Sequence, residues 1–123
     1  MTNDDKKIYL DLYASAKRII NRNLLYIEEI ERIEKHFIKS RCDEEEERQL
    51  KLFKKSVTDR IQEQEKVWHL VEQSINNLTE NRYREILQYR YMDGLTWDEI
   101  ADKMMYSLCS IHRLHNKALE QLL

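Results

Sequence analysis

The 123 residues hold no proline and a single glycine, and that shortage constrains the fold more than any other feature. Tight strand connections draw on Gly, Pro, Asn and Asp, and one glycine cannot serve many of them. The chain is therefore expected to be all-α and built from long helices, which its 41% hydrophobic and 36% charged residues suit. A chain of this length buries only about two-thirds of the surface its unfolded form exposes. The core is expected to be thin, and self-association to add to it.

Charge does not advertise a polyanionic partner. The net charge is -2, and both parts of the chain share it evenly: residues 1–78 carry 15 Lys+Arg against 16 Asp+Glu, and residues 79–123 carry 6 against 7. Any contact with nucleic acid must come from layout rather than overall basicity. Cys42 and Cys109 are the only cysteines, too few and too scattered for a secreted disulfide scaffold. Met1 to Lys7 is polar and acidic where a signal peptide is basic and then apolar, and no apolar run approaches the ~20 residues that span a bilayer. These features predict a cytoplasmic protein with no membrane partner.

Two amphipathic stripes organise the first part. Leu12, Ala16, Ile19, Tyr26, Ile30, Ile33 and Phe37 recur three and four apart once Asn23 fills its slot, as in a coiled coil. The second stripe runs Leu50, Phe53, Val57, Ile61, Gln64, Trp68, Val71, Ile75, Leu78. Each helix extends roughly 50 Å at 1.5 Å per residue. The break falls around Ser40 to Asp43: Lys35, Lys39 and Arg41 suit the negative end of the first helix, Asp43 can cap the second, and Glu44 to Glu47 crowd its positive end. The short connection implies an antiparallel hairpin. Asn23 and Gln64 are read as register-setting polar residues, and Phe53 and Trp68 as core anchors. Pairing once leaves a second apolar flank, Tyr9, Tyr13, Ile20, Leu24 and Ile27, through which residues 1–78 are expected to dimerise.

After Leu78 the pattern shortens. Asn76 and Asn77 disfavour helix interior, and Thr79 can cap a new start. A third helix is expected over Glu80 to Met92, with Tyr83, Ile86, Leu87 and Tyr91 on its apolar side and Gly94 as the left-handed residue beyond its end. Thr96 and Glu99 form a capping box opening a short helix that turns in Ile100, Ala101 and Met104. Met105 and Tyr106 make a turn, and Ser107 caps a last helix with Ile111, Leu114, Ala118 and Leu122 inward. A left-handed backbone at Met105, where such a turn favours Gly or Asn, carries roughly 1 kcal/mol of strain. Residues 79–123 thus read as a C-terminal three-helix helix-turn-helix unit.

In such a unit the second capped helix enters the major groove while the first braces it. Outward on the last helix stand Leu108, Cys109, His112, Arg113, Asn116 and Lys117, behind the cap Ser107. Arg113 can pair bidentately with guanine, Asn116 with adenine, and His112 can donate to a purine acceptor. Lys103, Lys117, Arg82, Arg84 and Arg90 can meet phosphates. The predicted partner is double-stranded DNA.

Tyr83 to Leu122 resembles region 4 of sigma-70-type factors, through Ile86, Leu87, Arg90, Tyr91, Gly94, Leu95, Thr96, Glu99, Ile100, Ala101, Ser107, Ile111 and Leu114. Within that group the run Arg90-Tyr91-Met92-Asp93-Gly94-Leu95-Thr96-Trp97-Asp98-Glu99-Ile100-Ala101, with Tyr106-Ser107, Ile111, Arg113-Leu114-His115 and Ala118-Leu119 beyond it, resembles the phage-encoded ArpU and RinA type late-gene transcriptional activators. The resemblance covers about a third of the chain. It implies a sequence-specific DNA-binding domain of a phage or prophage regulator in a bacterial host, with the residues after Ser107 reading the promoter. A second reading makes the chain an interaction protein, docking on RNA polymerase as sigma region 4 does or serving as an adaptor in phage assembly.

No catalytic triad, phosphate-cradling glycine loop or paired-carboxylate pocket is visible in the sequence, so neither enzymatic activity nor a cofactor is expected. Cys109, His112 and His115 invite a metal reading, but helical positions six apart diverge by about 240° and cannot converge on one ion. No metal is expected, and His115 is placed at the helix seam.

Overall fold

The structure is a computed structural model and describes residues 1–40 and 43–122, with side chains for all of these but 37–40. Phe37, Lys39, Arg41 and Cys42 therefore lie outside the described side chains. Every regular element among the described residues is helical: α1 (Asn3–Ser40), α2 (Glu44–Asn76), α3 (Asn81–Leu87) continued by a π-helical turn (Gln88–Met92), α4 (Trp97–Met104) and α5 (Leu108–Gln121). Two long helices forming a hairpin-like pair, then a C-terminal helical unit, are the architecture expected from the sequence.

The starts of the long helices are specified locally. The Thr2 hydroxyl accepts from the Asp5 amide at 3.1 Å, and the Asp5 carboxylate accepts from the Thr2 amide at 3.2 Å, a reciprocal cap of the kind in which each side chain satisfies the other's free backbone donor. Asp43 accepts from the Glu45 amide at 3.1 Å, as anticipated, and four glutamates fill the first turn of α2.

The chain divides into two compact units, Ala16–Lys66 and a larger one made of Met1–Ser15 with Val67–Leu123. In the smaller unit the two helices bury Ala16, Ile20, Asn23, Ile30, Val57 and Ile61, and Lys54 reaches across to Glu34 at 3.2 Å and Glu31 at 3.8 Å. In the larger unit Leu10 and Tyr13 of α1 and Val71 and Ile75 of α2 share one core with Ile86, Leu87, Tyr91, Ile100, Ile111, Leu114, Ala118, Leu119 and Leu122. The Tyr9 hydroxyl lies 2.8 Å from the Ser74 hydroxyl. Lys6 donates to the Leu119 carbonyl at 2.7 Å and the Glu120 carbonyl at 3.4 Å, placing a cation on the electron-rich end of α5.

The first stripe is corrected by one row. Ala16, Asn23 and Ile30 are buried as expected, but Leu12, Tyr26 and Ile33 are exposed, while Tyr13 and Ile20, assigned to the leftover flank, are buried. With 3.6 residues per turn, the rows three and four residues on from a heptad line flank it on either side, so spacing alone does not choose between them. Leu10 and Tyr13 enter the core with α3 and α5 and set the phase of α1. Continued along the helix, that phase turns Ile20, Ile27 and Glu34 inward. Phe53, expected as a core anchor, is exposed. Trp68 does anchor the core, its ring 5.7 Å from that of Tyr13.

The third helix also departs from a plain α-helix. Thr79 does not cap it; the capping position is Glu80, with no side-chain bond. The Arg84 guanidinium instead binds the Leu78 carbonyl and the Asn81 side chain, and so is engaged locally rather than offered to a phosphate. From Gln88 the helix widens, and the Asp93 amide reaches back five residues to the Gln88 carbonyl at 2.9 Å. A π-turn holds an extra residue, and Tyr91 within it remains in the core with Ile86 and Leu87. Gly94 then takes φ +70°, the left-handed value that costs a glycine nothing, and lets the Leu95 amide bond the Tyr89 carbonyl at 2.9 Å.

Candidate nucleic-acid interface

The turn between α4 and α5 is held at both ends. The Thr96 hydroxyl accepts from the Glu99 amide and the Glu99 carboxylate accepts from the Thr96 amide, both at 3.2 Å, so the anticipated capping box starts α4. Met105 ends it with φ 60°, ψ 41°, and the Tyr106 amide closes on the Ala101 carbonyl at 3.1 Å. A side chain in that left-handed region carries the anticipated strain, of order 1 kcal/mol. The Ser107 hydroxyl accepts from the Ser110 amide at 3.1 Å, so Ser107 serves α5 as a cap.

With Ile111, Leu114, Ala118, Leu119 and Leu122 turned inward, the 100° step of the helix leaves Leu108, Cys109, His112, Arg113, Asn116 and Lys117 outside, and all six are exposed. The Arg113 guanidinium lies 3.7 Å from the Cys109 sulfur one turn earlier. Lys103 is exposed on α4 with its ammonium 5.5 Å from the Tyr89 ring, and it lines neither of the clefts that flank α5.

Those clefts organise the surrounding charge. One, of about 250 Å³, is lined by Arg82, Tyr83, Tyr106, Ser110, Arg113, Leu114 and Lys117. Three cations from α3 and α5 converge there with no carboxylate in the lining. Arg82 pairs with Glu80, 3.3 Å away, and the neighbouring Tyr106 hydroxyl and Glu80 both raise its pKa above the ordinary arginine value. The other, of about 380 Å³, is lined by Lys7, Asp11, Arg90, Tyr91, Trp97, His112, His115 and Asn116. Arg90 lies 4.3 Å from the centre of the Trp97 ring and donates to the Leu95 carbonyl at 3.0 Å. It braces the start of α4 as well as lining the cleft. Sequence reasoning found α5 and its arginine partners but missed Tyr106, Ser110, Lys7 and Asp11. The Lys6-Lys7 pair was the one local signal for the last two.

His115 belongs to the core. It is 3% exposed, its Nε2 lies 2.8 Å from the Tyr91 hydroxyl, and its ring meets Trp97 edge-on at 4.7 Å. Cys109 and His112 face solvent, so the three do not gather round an ion. Burial, then the neighbouring Lys7, Arg90 and His112, push the His115 pKa from 6.5 down to about 4. Burial likewise pushes Tyr91 up to about 12, Asp11 adding to the effect, so the phenol keeps its proton for the bond. Unfolding frees an imidazole titrating near 6.5, and below that pH the unfolded chain takes up a proton that the folded chain resists. The stability tied to His115 is complete above about pH 6.5 and is lost as pH falls toward about 4. Melting temperatures measured across that window should fall, and His115→Phe should flatten that part of the profile. A variant profile parallel to the wild type would assign the titration to another group.

Residues 75–122, under half of the chain, match the family described as Sigma-70, region 4. That family is a helix-turn-helix DNA-binding region of regulatory proteins rather than a family of enzymes, and the match spans α3, the π-turn, α4 and α5. No curated protein and no solved structure matches the chain. No helix among the described residues is long and apolar enough to cross a membrane.

Proposed function

We propose that the chain is a sequence-specific DNA-binding transcriptional regulator, a phage or prophage late-gene activator working as a dimer in the cytoplasm of a bacterial host. The observation that carries this reading is the exposed face of α5, with base-reading side chains along it and cations in a cleft on either flank. A helix lying in the major groove, about 12 Å wide, has a phosphate backbone on each side. Arg113 then reads guanine, Asn116 adenine and His112 a purine acceptor, while Leu108 and Cys109 lead the capped end of α5 toward the bases. Lys117 and Arg82 meet one backbone, and Lys103 on the bracing helix meets phosphate. This layout supplies locally what a net charge of -2 denies the whole chain.

The hairpin supports the dimer. Ile19, Tyr26 and Ile33 follow one another at intervals of seven along α1, each partly exposed, which is the spacing a second helix packs against. Two copies would present two α5 helices to half-sites about one duplex turn apart. Electrophoretic retardation of the DNA flanking its own gene tests the function: a regulator retards one fragment in preference to others, with a steep salt dependence. A chain that ignores every duplex and binds RNA polymerase or a phage structural protein instead is an adaptor, and the reading fails. Light scattering at tens of micromolar tests the dimer, and a monomer there removes the two-half-site geometry.

A further inference from the structure

We propose that Lys7, on the first helix and outside the matched region, contacts the phosphate backbone of the same duplex that α5 reads. The inference rests on the DNA-binding reading above and assigns the second cleft beside α5 to the opposite backbone strand. Three observations place Lys7 there. It lines one cleft with Arg90, His112 and Asn116, of which His112 and Asn116 stand on the exposed face of α5. Its charge is close enough to α5 to depress the His115 pKa. The preceding residue, Lys6, is bonded to the last carbonyls of α5, which fixes this turn of α1 to the recognition helix rather than leaving it a free arm.

The ammonium is available. Its ion pair with Asp4 at 3.7 Å is exposed on both sides, and such pairs contribute little. Asp11 lines the same cleft one helical turn further along α1, where its carboxylate opposes an incoming phosphate. The two residues therefore have opposite predicted signs. Lys7 strengthens binding to any sequence, because a phosphate contact carries no base information, and Asp11 weakens it.

The experiment measures duplex affinity of the full chain from 50 to 200 mM salt for wild type, Lys7→Ala, Lys7→Arg, Asp11→Asn and Arg113→Ala, on the selected site and on a scrambled one. A single phosphate contact carries a salt slope of about 0.9. Lys7→Ala should therefore bind more weakly on both duplexes, and its deficit relative to wild type should shrink about threefold across that salt range. Lys7→Arg should restore affinity, and Asp11→Asn should exceed wild type. If wild type and Arg113→Ala differ on the selected site while Lys7→Ala matches wild type at every salt, α1 lies outside the interface and this inference alone falls. If wild type retains neither duplex, the DNA-binding reading falls and takes this inference with it.

Discussion

Leu10→Ala is expected to lower the stability of the unit that carries α5 by about 2–5 kcal/mol, the usual cost of emptying a fully buried leucine site. In a unit of this size that corresponds to a fall in melting temperature of about 10 °C or more. Leu10 stands far before α5 in the chain, yet it is 0% exposed and shares one core with Ile86, Ile111 and Leu119. Leu12, two positions on, is 42% exposed. Leu12→Ala is therefore the matched control, with an expected change of about 0.5 kcal/mol or less. Circular dichroism melts of the two variants decide the point. Equal, small losses would mean that the start of α1 does not belong to that core.

The second large effect concerns base reading. Arg113→Ala should cost about 1–3 kcal/mol on the selected site and relax preference at one base pair. On a scrambled duplex the loss should be much smaller. Lys117→Ala is the contrast: it lines the same cleft as Arg82 and Arg113, and as a phosphate contact it should weaken both duplexes alike and reduce the salt slope by about one unit. The structure makes this a sharp test because Arg113 lines that cationic cleft while standing on the outer face of α5. Equal losses on both duplexes for Arg113→Ala would move it from base edge to backbone and overturn its assigned role.

Local chemistry was legible in the sequence at several helix ends, though not at Thr79, which was expected to cap α3 and does not. The Thr96 and Glu99 box, the Ser107 cap, Gly94 beyond the third helix and the left-handed Met105 all follow from side chains at fixed short offsets. The exposed face of α5 was equally legible, since Ile111, Leu114, Ala118 and Leu122 at helical spacing define its inner face, to which the structure adds Leu119. The phase of α1 was not, because Ile19 and Ile20, or Tyr26 and Ile27, are both apolar on the rows that flank the Ala16, Asn23 and Ile30 line, and packing chooses between them. The π-turn left no sign either, as Gln88 to Met92 reads like ordinary helix. Least legible was the side of the cleft supplied by α1: the Lys6 bond to Leu119 joins residues 113 apart, and no periodicity records a contact of that span.

That long-range closure bears on how the protein is made. The smaller unit draws only on residues between Ala16 and Lys66, so its hairpin can form while the rest of the chain is still being synthesised. The larger unit needs Leu10, which precedes the smaller unit in the chain, together with Leu119 and Leu122, which follow it. Its core cannot close until α5 has left the ribosome, and contacts of such separation fold slowly because a long loop must be closed before they form. During that interval the apolar side of α1 around Leu10 and Tyr13 waits without the side chains that α5 adds to its core.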